Sequence, residues 1–112
     1  MRVVWDQAKN RRNLQKHDVA FETALLVFDD PNAITVRDES SVDEERWITL
    51  GSIAPGSILL VVHTAYEEND EEVIRIISAR AAESHEKRAY EETHKGTKTR
   101  HSRHRRKRRP RN

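Results

Sequence analysis

The chain has 112 residues, 36% charged and 35% hydrophobic, with no cysteine, which fits one small domain with a tail and excludes a disulfide framework or a thiolate zinc site. Its formal net charge of +2 hides two unlike parts: through Thr93 there are 11 Lys and Arg against 19 Asp and Glu, a net of −8, while residues 94–112 hold ten Lys and Arg and no acid. The longest apolar run, "ILLVV", is too short to span a bilayer, and "MRVVWDQAKN" turns charged by residue 6, unlike a signal peptide, so a cytoplasmic protein is expected.

In chain order, "RVVWD" is a short apolar run ended by Asp6, a good N-cap for a polar helix from Gln7 to about His17. In "VAFETALLVFDDP" the residues Phe21, Ala24, Leu25 and Phe28 recur at i, i+3, i+4, i+7, the pattern of one buried helix face. Asp18 is a candidate cap for this second helix, and Pro31 stops it. "AITVRD" reads as a short strand, "SSVDE" as a polar connection, and "ERWITLGSI" as a strand ending at the turn signal "APGS". "SILLVVHTAY" is apolar on both parities, as a central strand should be. An acidic loop, "EENDEE", leads to a last strand, "VIRIISAR", which is expected to turn into a helix at about Ala79–Ala81. That final helix, "AAESHEKRAYEETH", has strong helix formers. The layout is α+β, with two N-terminal helices and one C-terminal helix packed on an antiparallel β-sheet. The domain is expected over residues 1–93. The basic stretch 94–112 cannot bury an apolar face and is expected to be a disordered tail.

The chain has no Gly-rich phosphate loop, no Ser-nucleophile elbow and no HExxH. His94, His101 and His104 fall in or near the basic tail, where a solvated segment accounts for them better than a metal site does. The remaining candidates are Arg46 at the start of the third strand, His63 late in the central strand, Arg75 and Arg80 on the last strand, and Tyr90 on the final helix. An odd separation sets Arg75 and Arg80 on opposite sides of a regular strand, unless the turn into the helix at about Ala79–Ala81 redirects Arg80. Each residue also has a plain structural reading: surface ion pairs for the arginines, a hydrogen-bonded core position for His63, and helix-to-sheet packing for Tyr90. Spacing alone does not choose between the two readings.

The blocks "WDQAKNRRNLQKHDVAFETALLVFDDP", "EERWITLG", "LLVVHT" and "RIISARAAESHEKRAY" together resemble the BrnT family of bacterial toxins. The resemblance covers about four-fifths of the chain, from Trp5 to Tyr90, and "NLQKH", "VFDDP" and "RIISAR" carry it most specifically. It implies a RelE-like fold and a ribonuclease that needs no metal or other cofactor and halts growth by cutting RNA. It further implies a BrnA-type antitoxin that binds DNA through a ribbon-helix-helix domain and neutralises the toxin in a complex with more than one copy of each. The toxin itself would meet DNA only through that partner. One departure stands out: two residues beyond the threonine of "HT", where the family pattern has an arginine, this chain has Tyr66.

RNA cleavage without a metal uses the 2′-hydroxyl as an internal nucleophile, so the protein must stabilise charge on phosphate oxygens and move protons. Arginine suits the first task, because it stays protonated and grips oxyanions in a fork. A RelE-like sheet is expected to gather Arg46, Arg75, Arg80 and Tyr90 on one concave surface. Arg46 and Arg80 would stabilise the phosphate, Arg75 would orient the backbone, and Tyr90 or His63 would handle a proton. In the tail, Arg100, Arg103, Arg105, Arg106, Lys107, Arg108 and Arg109 would add RNA phosphate contacts with little sequence preference. The rival readings are a degenerate toxin fold that only binds antitoxin or RNA, favoured by Tyr66, and a scaffold whose tail alone binds nucleic acid.

Overall fold

The computed structural model describes the backbone of residues 1–97 and side chains through residue 93. Five strands form one sheet: β1 (Arg2–Val4), β2 (Ile34–Arg37), β3 (Trp47–Ala54), β4 (Ser57–Glu68) and β5 (Glu71–Ala81). Their spatial order is β1-β5-β4-β3-β2. The sheet is mixed rather than purely antiparallel, because β1 runs parallel to β5 while the other three pairs are antiparallel. Helices α1 (Gln7–His17) and α2 (Phe21–Ala24) follow β1, and α3 (Ser84–Thr97) follows β5. The expected α+β layout is thus present, with the expected number of helices. Residues 98–112, including every tail position expected to touch RNA, lie outside the described residues.

Local chemistry explains the helices, with two corrections. Asp6 caps α1 as expected, its Oδ1 accepting from Ala8 N at 2.8 Å. Asp18 ends α1 instead of starting α2: it sits left-handed at φ 61°, a conformation that a short polar side chain tolerates. Of the expected face, Phe21 and Ala24 are fully buried and Phe28 packs partly buried against the same core, but Val27 at 0% exposure takes the inward place expected of Leu25. After Ala24 the chain tightens into a 3₁₀ turn over Leu25–Asp29, and its three-residue period brings Val27 inward. Val27 approaches β3 so closely that a Cβ on Gly51 would stand 2.7 Å from its own Cβ, so that strand position accepts only glycine without displacement.

The acidic "EENDEE" stretch is not a loop. β4 and β5 run on as a hairpin to Glu68 and Glu71, closed by Asn69 and Asp70, both with positive φ (53° and 64°), as a tight primed turn requires. Likewise β5 continues to Ala81, beyond the point where the helix was expected to begin.

The sheet has two unlike faces. Leu59, Val61, Ile76 and Ala79 pack with Phe21, Ala24 and Val27 beneath the N-terminal helices. On the opposite face α3 covers one end only, where Tyr90 and Ala82 pack with Ile58, Leu50 and Ile34. Among the described residues no element covers the other end of that face.

Candidate functional site

The open end of the sheet is built around a break in register. Along β4 and β5 the partners run Leu60 with Arg80 and Val62 with Ser78, then shift to His63 with Ile76 and Thr64 with Arg75. Ile77 is the extra residue of a β-bulge, and one extra residue inverts the side-chain alternation beyond it. Leu60 and Thr64 lie four apart on β4 and share a face, so their partners Arg80 and Arg75 share it too. The expected opposition of the two arginines is therefore removed by the bulge, not by an early turn into the helix. Four residues of strand separate them by about 13 Å, so they address neighbouring groups of a ligand more readily than one atom.

Arg46 joins this face from the other side. It immediately precedes Trp47, the partner of His63, and its carbonyl accepts from Asp38 N at 2.8 Å, which extends the β2–β3 ladder by one pair. Arg46 and Arg75 accordingly flank Thr64 from the two neighbouring strands. Between them lies the carboxylate of Glu44. Arg46 donates to Glu44 Oε2 through Nε at 3.0 Å, with its terminal nitrogen also at 3.0 Å, and Arg75 reaches Glu44 Oε1 at 3.4 Å. The three side chains are 38–40% exposed, so the cluster is open to solvent. Glu44 is held from behind by Ser41, whose hydroxyl donates to the Glu44 carbonyl at 2.5 Å. Thr64 is 8% exposed, and its Oγ1 is buried without a hydrogen-bond partner.

Arg80 is engaged differently. Its two terminal nitrogens each donate to one Glu86 oxygen at 2.9 Å. Glu86 Oε1 also accepts from Glu83 N at 2.8 Å, closing the first turn of α3. The arginine hydrogen bond holds the Glu86 carboxyl below its ordinary value of 4.5 against the opposing effect of burial, and the Arg80 guanidinium is raised in turn. Among the described residues Glu83, His85 and Glu86 stand close enough to share a cation. With Arg80 on both Glu86 oxygens, that group is already neutralised by a side chain.

Two expected members are elsewhere. His63 is 3% exposed and lies on the helix-covered face, where its Nε2 meets Thr49 Oγ1 at 2.8 Å and its ring stands edge-on to Phe28. The sheet itself separates it from the arginines. Tyr90 is on the same side as the arginines but at the α3 end and 7% exposed, with its hydroxyl donating to Asp30 Oδ2 at 2.5 Å. The same carboxylate accepts from Ser52 N at 2.8 Å and Asn32 N at 2.9 Å. Asp30, within "VFDDP", thus links α3 to β3, a role the sequence reading missed.

A second omission is Asn13, in "NLQKH". β1 pairs only with Val73–Arg75, leaving the next stretch of that β5 edge without a strand. Asn13 fills the gap: its Nδ2 donates to the carbonyls of Ala79 and Val19 at 2.8 Å each, and its Oδ1 accepts from Ala79 N at 3.1 Å. The segment beyond the bulge is therefore pinned next to Arg80. A helical Asn facing inward is the signal that could have found it.

No curated protein matches the chain. Among solved structures, the ribonuclease toxin BrnT of Brucella abortus is similar in fold, with a TM-score of 0.56 and 21% identity over 75% of this chain and 99% of that one. The family model described as "Ribonuclease toxin, BrnT, of type II toxin-antitoxin system" matches residues 5–86. This chain belongs to the BrnT family of type II toxin–antitoxin ribonuclease toxins.

Proposed function

We infer that the protein is an endoribonuclease that cuts RNA without a metal, in the cytoplasm, and thereby arrests translation and growth. The observation that carries this reading is the convergence of Arg46 and Arg75 on one oxyanion, the Glu44 carboxylate, on a face that also holds Arg80. Two guanidiniums arranged for a carboxylate also suit a phosphodiester, whose equatorial oxygens gain charge as the 2′-oxygen attacks. The O2′–P bond forms, the P–O5′ bond breaks, and the products are a 2′,3′-cyclic phosphate and a 5′-hydroxyl. Arg46 and Arg75 carry the charge on the reacting phosphate, while Arg80, about 13 Å along the strand, takes a neighbouring phosphate in exchange for Glu86.

Proton handling by His63 has no support from its position behind the sheet, nor has proton handling by Tyr90 while it is tied to Asp30. The 2′-hydroxyl proton therefore leaves to solvent, solvent supplies the proton that the departing 5′-oxygen takes up, and electrostatic stabilisation does most of the catalysis. Tyr66 lies two residues beyond Thr64 on the same face, 46% exposed, and offers a ring for a base flanking the scissile phosphate. The partner would be a BrnA-type ribbon-helix-helix antitoxin that covers this face in a complex with several copies of each chain.

The test has two parts. Induced expression should arrest bacterial growth, with relief on co-expression of the adjacent reading frame. The purified chain should cut RNA in EDTA and leave 2′,3′-cyclic ends. Soluble protein that neither slows growth nor cuts RNA would favour the binding-module reading, in which Tyr66 and the arginines hold RNA without cleaving it.

A further inference from the structure

We propose that Arg46, Arg75 and Thr64 form a seat for one phosphate group, and that the Glu44 carboxylate is its resident occupant, displaced when RNA binds. The proposal deepens the ribonuclease reading and rests on it for the identity of the phosphate as that of an RNA backbone.

The carboxylate is the group to be exchanged because of how it is held. Glu44 lies on the connection between β2 and β3, while Arg75 is within β5 and Arg46, adjoining β3, is tied across to Asp38 N by its carbonyl. A half-exposed carboxylate–arginine pair contributes little stability, so another oxyanion can replace it at small cost. A phosphodiester presents two non-bridging oxygens that share one charge, and the backbones of Arg46 and Arg75 lie on either side of Thr64, on the two neighbouring strands or their extension. The Thr64 hydroxyl adds an independent sign of a missing ligand: it is buried, central to the cluster and without a partner. Buried polar groups are nearly always hydrogen-bonded, and a phosphate oxygen would supply the acceptor this hydroxyl lacks.

Glu44 as occupant also explains how a chain with a strongly acidic body can keep two adjacent cations on an open face. The carboxylate balances them until a phosphodiester of the same charge, brought in by a strand with further contacts, takes its place. Weakly bound anions are then discriminated against, because each must displace a tethered competitor.

The experiment titrates inorganic phosphate into the full chain and follows the Nε–H resonances of Arg46 and Arg75, assigned with the Arg46→Lys and Arg75→Lys variants. These resonances report the seat and not the basic tail. Glu44→Gln should bind phosphate about fivefold more tightly at this site, the worth of one exposed ion pair. Glu45→Gln removes the same charge one residue away, from a carboxylate that pairs with Arg37 at 3.8 Å, and should change the affinity little. Unchanged or weaker binding by Glu44→Gln, or an equal gain in Glu45→Gln, would overturn the proposal. RNA cleavage measured on the same proteins separates the two readings. A fivefold gain in a protein that cuts no RNA leaves the seat standing and removes the ribonuclease. Cleavage with no gain removes the seat alone.

Discussion

Arg75 and Arg80 face the same side of the sheet although an odd step of five positions relates them on one strand, because the bulge at Ile77 inverts the alternation between them. That relationship depends on holding β5 in its shifted register, and the strand on one side of it is too short to do so alone. Asn13 substitutes for the missing neighbour by bonding both the N–H and the carbonyl of Ala79.

Asn13→Ala should therefore cost about 2–3 kcal/mol, since buried backbone groups of Ala79 and Val19 lose their partner. Chemical denaturation checks the stability. Cleavage by the fraction that remains folded should also fall, because Arg80 adjoins the released segment. A variant as stable as the parent would show that water replaces the amide at no cost.

Tyr90→Phe separates a structural phenol from a proton donor. It removes the bond to Asp30 but leaves Ser52 and Asn32 on that carboxylate, so the expected loss is about 1 kcal/mol. RNA cleavage should be unchanged. A stable Phe variant that has lost cleavage would return Tyr90 to the reaction.

Most of the fold was legible in the sequence, because the element order follows from strong local signals: Asp6 before a polar helix, Pro31 after an apolar one, the Pro55–Gly56 turn, and β-rich runs on either side of it. What was not legible depends on pairing between distant segments. Nothing local in "RIISAR" announces that Ile77 is unpaired, since a bulge belongs to the match between two strands. The parallel pairing of β1 with β5 is likewise a long-range fact. At the site, the arginines were visible as cations, with surface ion pairing as their plain reading. Glu44 was not, because one acid among the many in "VDEER" gains meaning only once Arg46 and Arg75 are seen to share it. His63 shows the converse: its residue type suggested chemistry, and strand parity set it in the core.

The Arg80–Glu86 pair has a defined pH signature. The folded-state value of Glu86 is depressed by Arg80, so its contribution to stability is complete above the ordinary carboxylate value of 4.5 and is lost as pH falls through the lower folded value. The difference in melting temperature between the parent and Glu86→Gln should be greatest near neutral pH and shrink on acidification. A constant difference from neutral pH down to about pH 3 would show that the pair does not titrate with folding.

Tyr66→Ala should weaken RNA binding by about 1–3 kcal/mol if the ring stacks on a base, with little effect on fold stability because the side chain is half exposed. Fluorescence anisotropy with a 2′-deoxy-substituted, uncleavable oligonucleotide measures this directly. Equal affinities would mean that this ring contacts no base.

The most direct test of the arginine site is the single-turnover cleavage rate of a short RNA by folded Arg75→Ala in EDTA, beside the parent chain. The parent should cut, and the variant should fall by about 100-fold or more, the usual loss when one group that stabilises transition-state charge is removed. A folded Arg75→Ala protein that cuts at the parental rate would contradict the account, because phosphate recognition would then lie elsewhere on the molecule.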